Sequence, residues 1–177
     1  MILGAILAGG ESRRFGSDKA QATLAGTALL DLVVGALALQ VDELVVCGRA
    51  WPGLRSLPDR PAPGLGPLAG LAAALHHAEA CGFAQVLTLP CDTPLVDRGL
   101  IAALVTAGAP ALVRDCPVIG IWPAALSPAL DAHLEGADRS MRGWARRAGA
   151  AWLDLPAPAN VNHAEDLAQL RDRARSA

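Results

Sequence analysis

The densest run of chemistry in this chain is Leu7-Ala8-Gly9-Gly10-Glu11-Ser12-Arg13-Arg14-Phe15-Gly16-Ser17-Asp18-Lys19, directly after an apolar segment. Glycines let backbone N–H groups approach phosphate oxygens, and Arg14 and Lys19 carry the charge to neutralise a triphosphate. Gly9-Gly10 alone would equally suit a plain turn beside solvated arginines. Lys19 favours an anion cradle: it is the only lysine among 15 basic residues, so a compact point charge stands where the loop ends. The run lacks the Gly-Lys-Ser/Thr ending of a P-loop and the glycine spacing of a dinucleotide fingerprint.

Pro90-Cys91-Asp92-Thr93-Pro94 is a second candidate. A carboxylate between prolines at a strand end is suited to hold Mg²⁺ through oxygen alongside substrate phosphates, although Asp92 could instead cap a turn or helix. Gly64-Leu65-Gly66-Pro67-Leu68-Ala69-Gly70 fits a Gly-x-Gly-x-x-Ala pattern on paper. A proline-rich segment rather than a strand precedes it, so hydride-transfer chemistry is disfavoured, while a helix N-terminus open to a phosphate remains.

These segments need elements to position them. Ile2 to Leu7 reads as a buried strand, Ala28 to Leu39 as a helix, Leu44 to Val46 as a strand, and Trp51 to Gly66 as one long loop. Pro67 to about Ala80 reads as a helix, Val86 to Leu89 as a strand, and Arg98 to Thr106 as a helix. Ala111 to Val113 and Val118 to Trp122 are expected strands, Leu126 to Leu134 and Ser140 to Arg147 helices, and Ala151 to Leu155 a strand. His163 to Arg175 would close the chain as a helix capped by Asn162. This alternation predicts an α/β fold, a Rossmann-like three-layer sandwich with a mainly parallel central sheet and active loops at the strands' C-terminal ends.

Composition narrows the classes. The 177 residues fit a single domain; they are 53% hydrophobic and 18% charged with a formal net charge of -2. That balance argues against disorder and against a nucleic-acid partner. The apolar N-terminus lacks a preceding basic region and Asp31 interrupts the most hydrophobic stretch, so neither a signal peptide nor a membrane span is expected. Cys47, Cys81, Cys91 and Cys116 show no metal-site spacing and read as free, mostly buried thiols of a cytoplasmic protein. His76, His77, His133 and His163 fall on expected helices, where packed or exposed roles outweigh catalysis.

Leu7-Ala8-Gly9-Gly10 with Arg14, Gly16 and Asp18-Lys19, then Gly66-Pro67-Leu68-Ala69-Gly70, Cys91-Asp92-Thr93-Pro94 and Asn160-Val161-Asn162, together resemble the molybdenum cofactor guanylyltransferases. The matches run in order along the chain. The resemblance implies a nucleotidyltransferase fold, with transfer of GMP from Mg-GTP to molybdenum-bound molybdopterin and release of pyrophosphate. It implies nucleotide contacts at Leu7, Ala8, Gly9, Gly10, Lys19 and Asp59, magnesium at Asp92, and catalytic roles for Arg14, Lys19 and Asp92. Gly66, Gly70, Arg139, Asn160 and Asn162 would lie towards molybdopterin, the N-terminal part of the domain serving the nucleotide and the C-terminal part the acceptor. Other molybdenum cofactor biosynthesis proteins and recipient molybdoenzymes are the implied protein partners. For Asn160 and Asn162 a turn and helix cap, and for Arg139 a solvated helix start, are the plain alternatives.

Two positions depart from the family pattern: Cys47 stands where an asparagine is common, and Cys116-Pro117 follows a short Arg114-Asp115 loop where His-Pro is common. A thiol cannot make amide-type hydrogen bonds. Attack by an acceptor phosphate oxygen on the α-phosphorus needs positioning and charge neutralisation more than a strong base. Competing readings are a cytidylyltransferase for the same acceptor, whose loop usually reads Leu-Ala-Ala-Gly, a sugar-1-phosphate nucleotidyltransferase, and a catalytically idle nucleotide-binding regulator.

Overall fold

The computed structural model describes residues 1–9, 19–161 and 166. Asn162 and the expected closing helix from His163 lie outside the described residues, apart from Asp166. An interior strand of the sheet is β1 (Ile2–Leu7), whose unbroken apolar run suits a strand covered on both faces. A two-residue hairpin follows, β2 (Thr23–Leu24) against β3 (Thr27–Ala28), leading into α1 (Leu29–Leu37). The sequence does not announce this hairpin, because two residues per strand carry no period. The helix is shorter than the expected Ala28 to Leu39: it buries Leu29, Leu30, Val33 and Leu37, whereas Leu39 is apolar yet 76% exposed.

Next come β4 (Glu43–Cys47), β5 (Arg55–Leu57), α2 (Pro67–Cys81) and β6 (Gln85–Pro90). The expected loop from Trp51 to Gly66 is thus interrupted by a strand, which pairs in parallel with β4 at the sheet edge. Its Arg55 and Ser56 are exposed, so no apolar pattern marks it. The remaining elements are α3 (Arg98–Ala107), β7 (Ala111–Val113), β8 (Cys116–Pro123), α4 (Ser127–Leu134), α5 (Met141–Arg147) and β9 (Ala151–Leu153).

Seven strands form one sheet in the order β5-β4-β1-β6-β8-β7-β9, with β8 antiparallel to both neighbours and the other pairings parallel. Leu3, Ala5 and Leu7 face α2, α4 and α5 on one side; Ile6 and Ala8 face α1 and α3 on the other. This alternation gives three layers and the α/β class expected from the sequence. Because the chain runs outwards from β1 to β5 and returns to β6 on β1's other side, the loops after Leu7 and Pro90, which are register partners, start side by side. That crevice is where open α/β sheets bind ligands. The reversed β8 brings the turn at Arg114 and Asp115 to the same edge.

The cysteines correct one expectation: all are free, but only Cys47 is buried, while Cys81 is exposed and Cys91 and Cys116 are intermediate. Cys47 ends a central strand, whereas the others sit at a helix end or at the loop edge, where cover is thinner. His76, His77 and His133 are on helices as expected, and His76 bonds Asp131 at 2.8 Å, tying α2 to α4. Among the described residues no helix is long and apolar enough to cross a membrane.

Candidate active site

Backbone bonds fix the start of the glycine loop. Ala8 N–H donates to the Cys47 carbonyl at 3.0 Å, and Cys91 N–H donates to the Leu7 carbonyl at 3.2 Å, so Leu7 and Ala8 are clamped between β4 and β6. Gly9 is the last residue of the loop that the structure describes; Gly10 and Arg14 lie outside the described residues. Lys19 opens a short 3-10 turn, Lys19–Gln21.

A slot lined by glycines receives Asp59. A Cβ on Gly9 would lie 2.6 Å from Asp59 Oδ2, one on Gly48 would lie 2.6 Å from the Gly9 nitrogen and 3.0 Å from Asp59 Oδ1, and one on Gly70 would lie 3.1 Å from the Cys47 Cβ. Gly48 has φ +85°, a conformation that also favours glycine there. The loop carrying Asp59 is held because Arg60 N–H donates to the Ala69 carbonyl at 3.1 Å, inside the first turn of α2. Three segments, those leaving β1 and β4 and the first turn of α2, therefore converge on one carboxylate carried by the loop that follows β5.

Asp59 Oδ1 is buried and has no hydrogen-bond partner among the described residues. Burial raises the Asp59 pKa above the ordinary aspartate range. The Cys47 thiol is pushed up to about 12, first by burial and then by the Asp59 carboxylate, so it is neutral at physiological pH and no nucleophile. An unpaired carboxylate oxygen in a tight slot can accept N–H or O–H donors from a ligand.

Asp92 occupies the neighbouring corner. Its carbonyl accepts the Val161 N–H at 2.8 Å, and Thr93 Oγ1 donates to the Pro90 carbonyl at 3.1 Å, fixing the turn just past β6. The first bond brings Asn160 beside Asp92, as the spacing of the two motifs does not disclose. Asp92 also faces Cys116, whose pKa rises through burial and through the Asp92 charge. Among the described residues no group of three or more His, Cys, Asp or Glu could hold a metal. Mg²⁺ held through one carboxylate characteristically completes its shell with phosphate oxygens and water.

The remaining predicted residues divide. Gly70 lines the Asp59 slot. Gly66 caps α2 with φ +71°, and Arg139 lies beyond it, lining a cavity of about 430 Å³ with Arg60, Pro61, Leu65, Asp131, Leu134 and Glu135. Sequence reading missed Gly48 and Arg60. A glycine immediately after an apolar strand was the available signal for the first; nothing marks the second.

Comparisons with known proteins bear on the family and the fold. Residues 4–152 match the family described as MobA-like NTP transferase domain. The molybdenum cofactor guanylyltransferase of Rhodobacter capsulatus is 38% identical over 185 residues, covering 98% of this chain and 97% of that protein. Among solved structures, molybdopterin-guanine dinucleotide biosynthesis protein A from Archaeoglobus fulgidus superposes with a TM-score of 0.79 at 20% identity, covering 100% of both chains. A Mycobacterium tuberculosis H37Rv protein, Rv0371C, solved in complex with manganese, reaches a TM-score of 0.68 at 18% identity, covering 97% of this chain and 98% of that one. The two structures share the fold, and the full-length sequence match goes further: the chain belongs to the molybdenum cofactor guanylyltransferase family and is a nucleotidyltransferase.

Proposed function

We propose that the protein transfers GMP from GTP to molybdenum-bound molybdopterin in the cytoplasm, forming the guanine dinucleotide cofactor and pyrophosphate. The observation that carries this reading is the unpartnered Asp59 oxygen buried against Gly9, in the loop that leaves β1 beside the crevice of a nucleotidyltransferase sheet. Guanine offers adjacent N1–H and N2–H donors that match a carboxylate, whereas cytosine does not. Leu7, Ala8, Gly9 and Gly10 present backbone to the nucleotide, and Arg14 and Lys19 neutralise its phosphates. Asp92 holds Mg²⁺, which when bound would offset charge developing on the phosphates. Gly66, Arg139, Asn160 and Asn162 serve the acceptor, so the N-terminal part of the chain handles the nucleotide and the C-terminal part molybdopterin. The phosphate oxygen of molybdopterin attacks the α-phosphorus in line with departing pyrophosphate, and the residues position both ends of that line.

Titrating GTP, ATP and CTP in the presence of Mg²⁺ tests the base assignment. Wild type is expected to favour GTP by at least about tenfold, and Asp59→Ala to lose that preference, because a site that hydrogen-bonds guanine leaves groups unpaired with the wrong base. Equal affinity for CTP overturns the guanylyl reading; retained preference in Asp59→Ala moves base recognition to the backbone of Leu7 to Gly9. The raised Asp59 pKa adds a sign. A folded-state pKa above the unfolded one gives stability that is present at low pH and lost as pH rises through the folded value. Asp59→Asn should therefore melt at a higher temperature than wild type at pH 7, with the gap closing on acidification.

Lys19→Arg is expected to slow turnover by roughly tenfold, since a forked guanidinium cannot replace a compact ammonium in a tight cradle. Steady-state pyrophosphate release measures it. Wild-type rates in that variant would reduce Lys19 to a surface charge.

A further inference from the structure

The cavity beyond Gly66 holds charges that the fold itself does not use. Of its two carboxylates, Asp131 is bonded to His76 at 2.8 Å, but the Glu135 side chain makes no hydrogen bond or ion pair among the described residues. Of its two guanidiniums, Arg139 donates to the Gly136 carbonyl at 3.3 Å, while the Arg60 side chain makes none among the described residues. Arg60 and Glu135 border one cavity without pairing with each other. Pro61, Leu65 and Leu134 supply apolar surface between them. Such a chamber suits a flat heterocycle that stacks under a guanidinium and offers donors to a carboxylate.

We infer that Glu135 reads the 2-amino-4-oxo pyrimidine edge of the acceptor's pterin in this cavity, with Arg60 and Arg139 flanking the ring and its anionic substituents. The inference rests on the acceptor reading proposed above. Pterin and guanine share that edge, with two adjacent N–H donors that meet the two oxygens of one carboxylate. Each of the two chambers supplies one carboxylate that makes no hydrogen bond among the described residues. Asp59 fills the slot at Gly9, and the next residue, Arg60, lines the other cavity with Glu135. Each chamber thus has its own edge-reading group, and similar heterocycles are kept apart by the 58–66 loop.

Glu135→Gln is the test, because it keeps shape and replaces one acceptor oxygen by a donor that opposes the pterin edge. Glu135 is exposed, so the variant folds. Molybdopterin binding is followed anaerobically by pterin fluorescence and GTP binding by calorimetry, on wild type and variant side by side. The expected result is a loss of molybdopterin affinity of about tenfold or more with GTP affinity unchanged. Arg60→Ala should likewise weaken molybdopterin and spare GTP. Unchanged molybdopterin affinity in Glu135→Gln overturns the assignment, and so does a selective loss of GTP affinity, which would put guanine in this cavity. A wild-type protein that binds GTP but leaves molybdopterin fluorescence unaltered overturns the acceptor reading itself, and this inference with it.

Discussion

Replacing Asp92 by asparagine is expected to cut turnover at least about a hundredfold, the scale at which removing one well-placed electrostatic group registers, and to leave the fold unchanged. The substitution removes the charge proposed to hold Mg²⁺ against the phosphates but keeps side-chain size. The bonds that fix the turn, Val161 N–H to the Asp92 carbonyl and Thr93 Oγ1 to the Pro90 carbonyl, belong to groups the substitution does not alter. Pyrophosphate release with GTP, Mg²⁺ and molybdopterin gives the rate, and the thermal midpoint reports the fold. Turnover near the wild-type rate would take the metal away from Asp92. A drop accompanied by an equal loss of folded protein would make Asp92 structural instead.

Gly48→Ala should weaken GTP binding by about a hundredfold or more, the cost of displacing a binding group by an ångström. At φ +85° an added Cβ is strained by ~1–2 kcal/mol before any contact is considered. It would also press on the Gly9 backbone and sit 3.0 Å from Asp59 Oδ1, and backbone held by β1 has little room to give. Gly53→Ala is the control. Gly53 has φ +77° with nothing within 4 Å of the added Cβ, so that variant carries conformational strain alone. Calorimetric titration of GTP should separate them: Gly53→Ala binds normally although less stable, and Gly48→Ala does not. Equal affinities would show that the slot is not the nucleotide site.

The layer arrangement was legible because β1 is apolar throughout, the buried part of β6 is apolar but for Thr88, and α1, α2 and α3 carry recognisable period or caps. Pro67 marked the start of α2 correctly, since a residue without N–H costs nothing in the first turn. β5 was not legible: an exposed edge strand of three residues earns its place through backbone pairing with β4, which side-chain type does not encode. Leu39 misled in the opposite sense, as an apolar residue left in solvent beyond the helix end. For the site, Leu7, Gly9 and Asp92 could be found from glycines and a carboxylate at strand ends. The meeting of Asp59 with Gly9, Gly48 and Gly70 could not, because those contacts join segments distant in sequence, and no local pattern records a long-range approach. Arg60 and Glu135 were invisible for the same reason.

The reversed strand β8 has an evolutionary consequence. Its hairpin with β7 turns at Arg114 and Asp115, at the sheet edge that carries Asp92, and Cys116, which begins β8, faces Asp92. Added residues in a surface turn close a longer loop at small entropic cost, about 0.6 kcal/mol per doubling. Insertions there would project over the half of the crevice beyond β6, while β1, β4 and β5, which carry the Asp59 slot, lie on the opposite side of β6. On the function proposed above, the turn is therefore a point at which this architecture can diversify what it modifies without rebuilding how it holds its donor, and grafted loops of different length at 114–115 are a direct test of acceptor range.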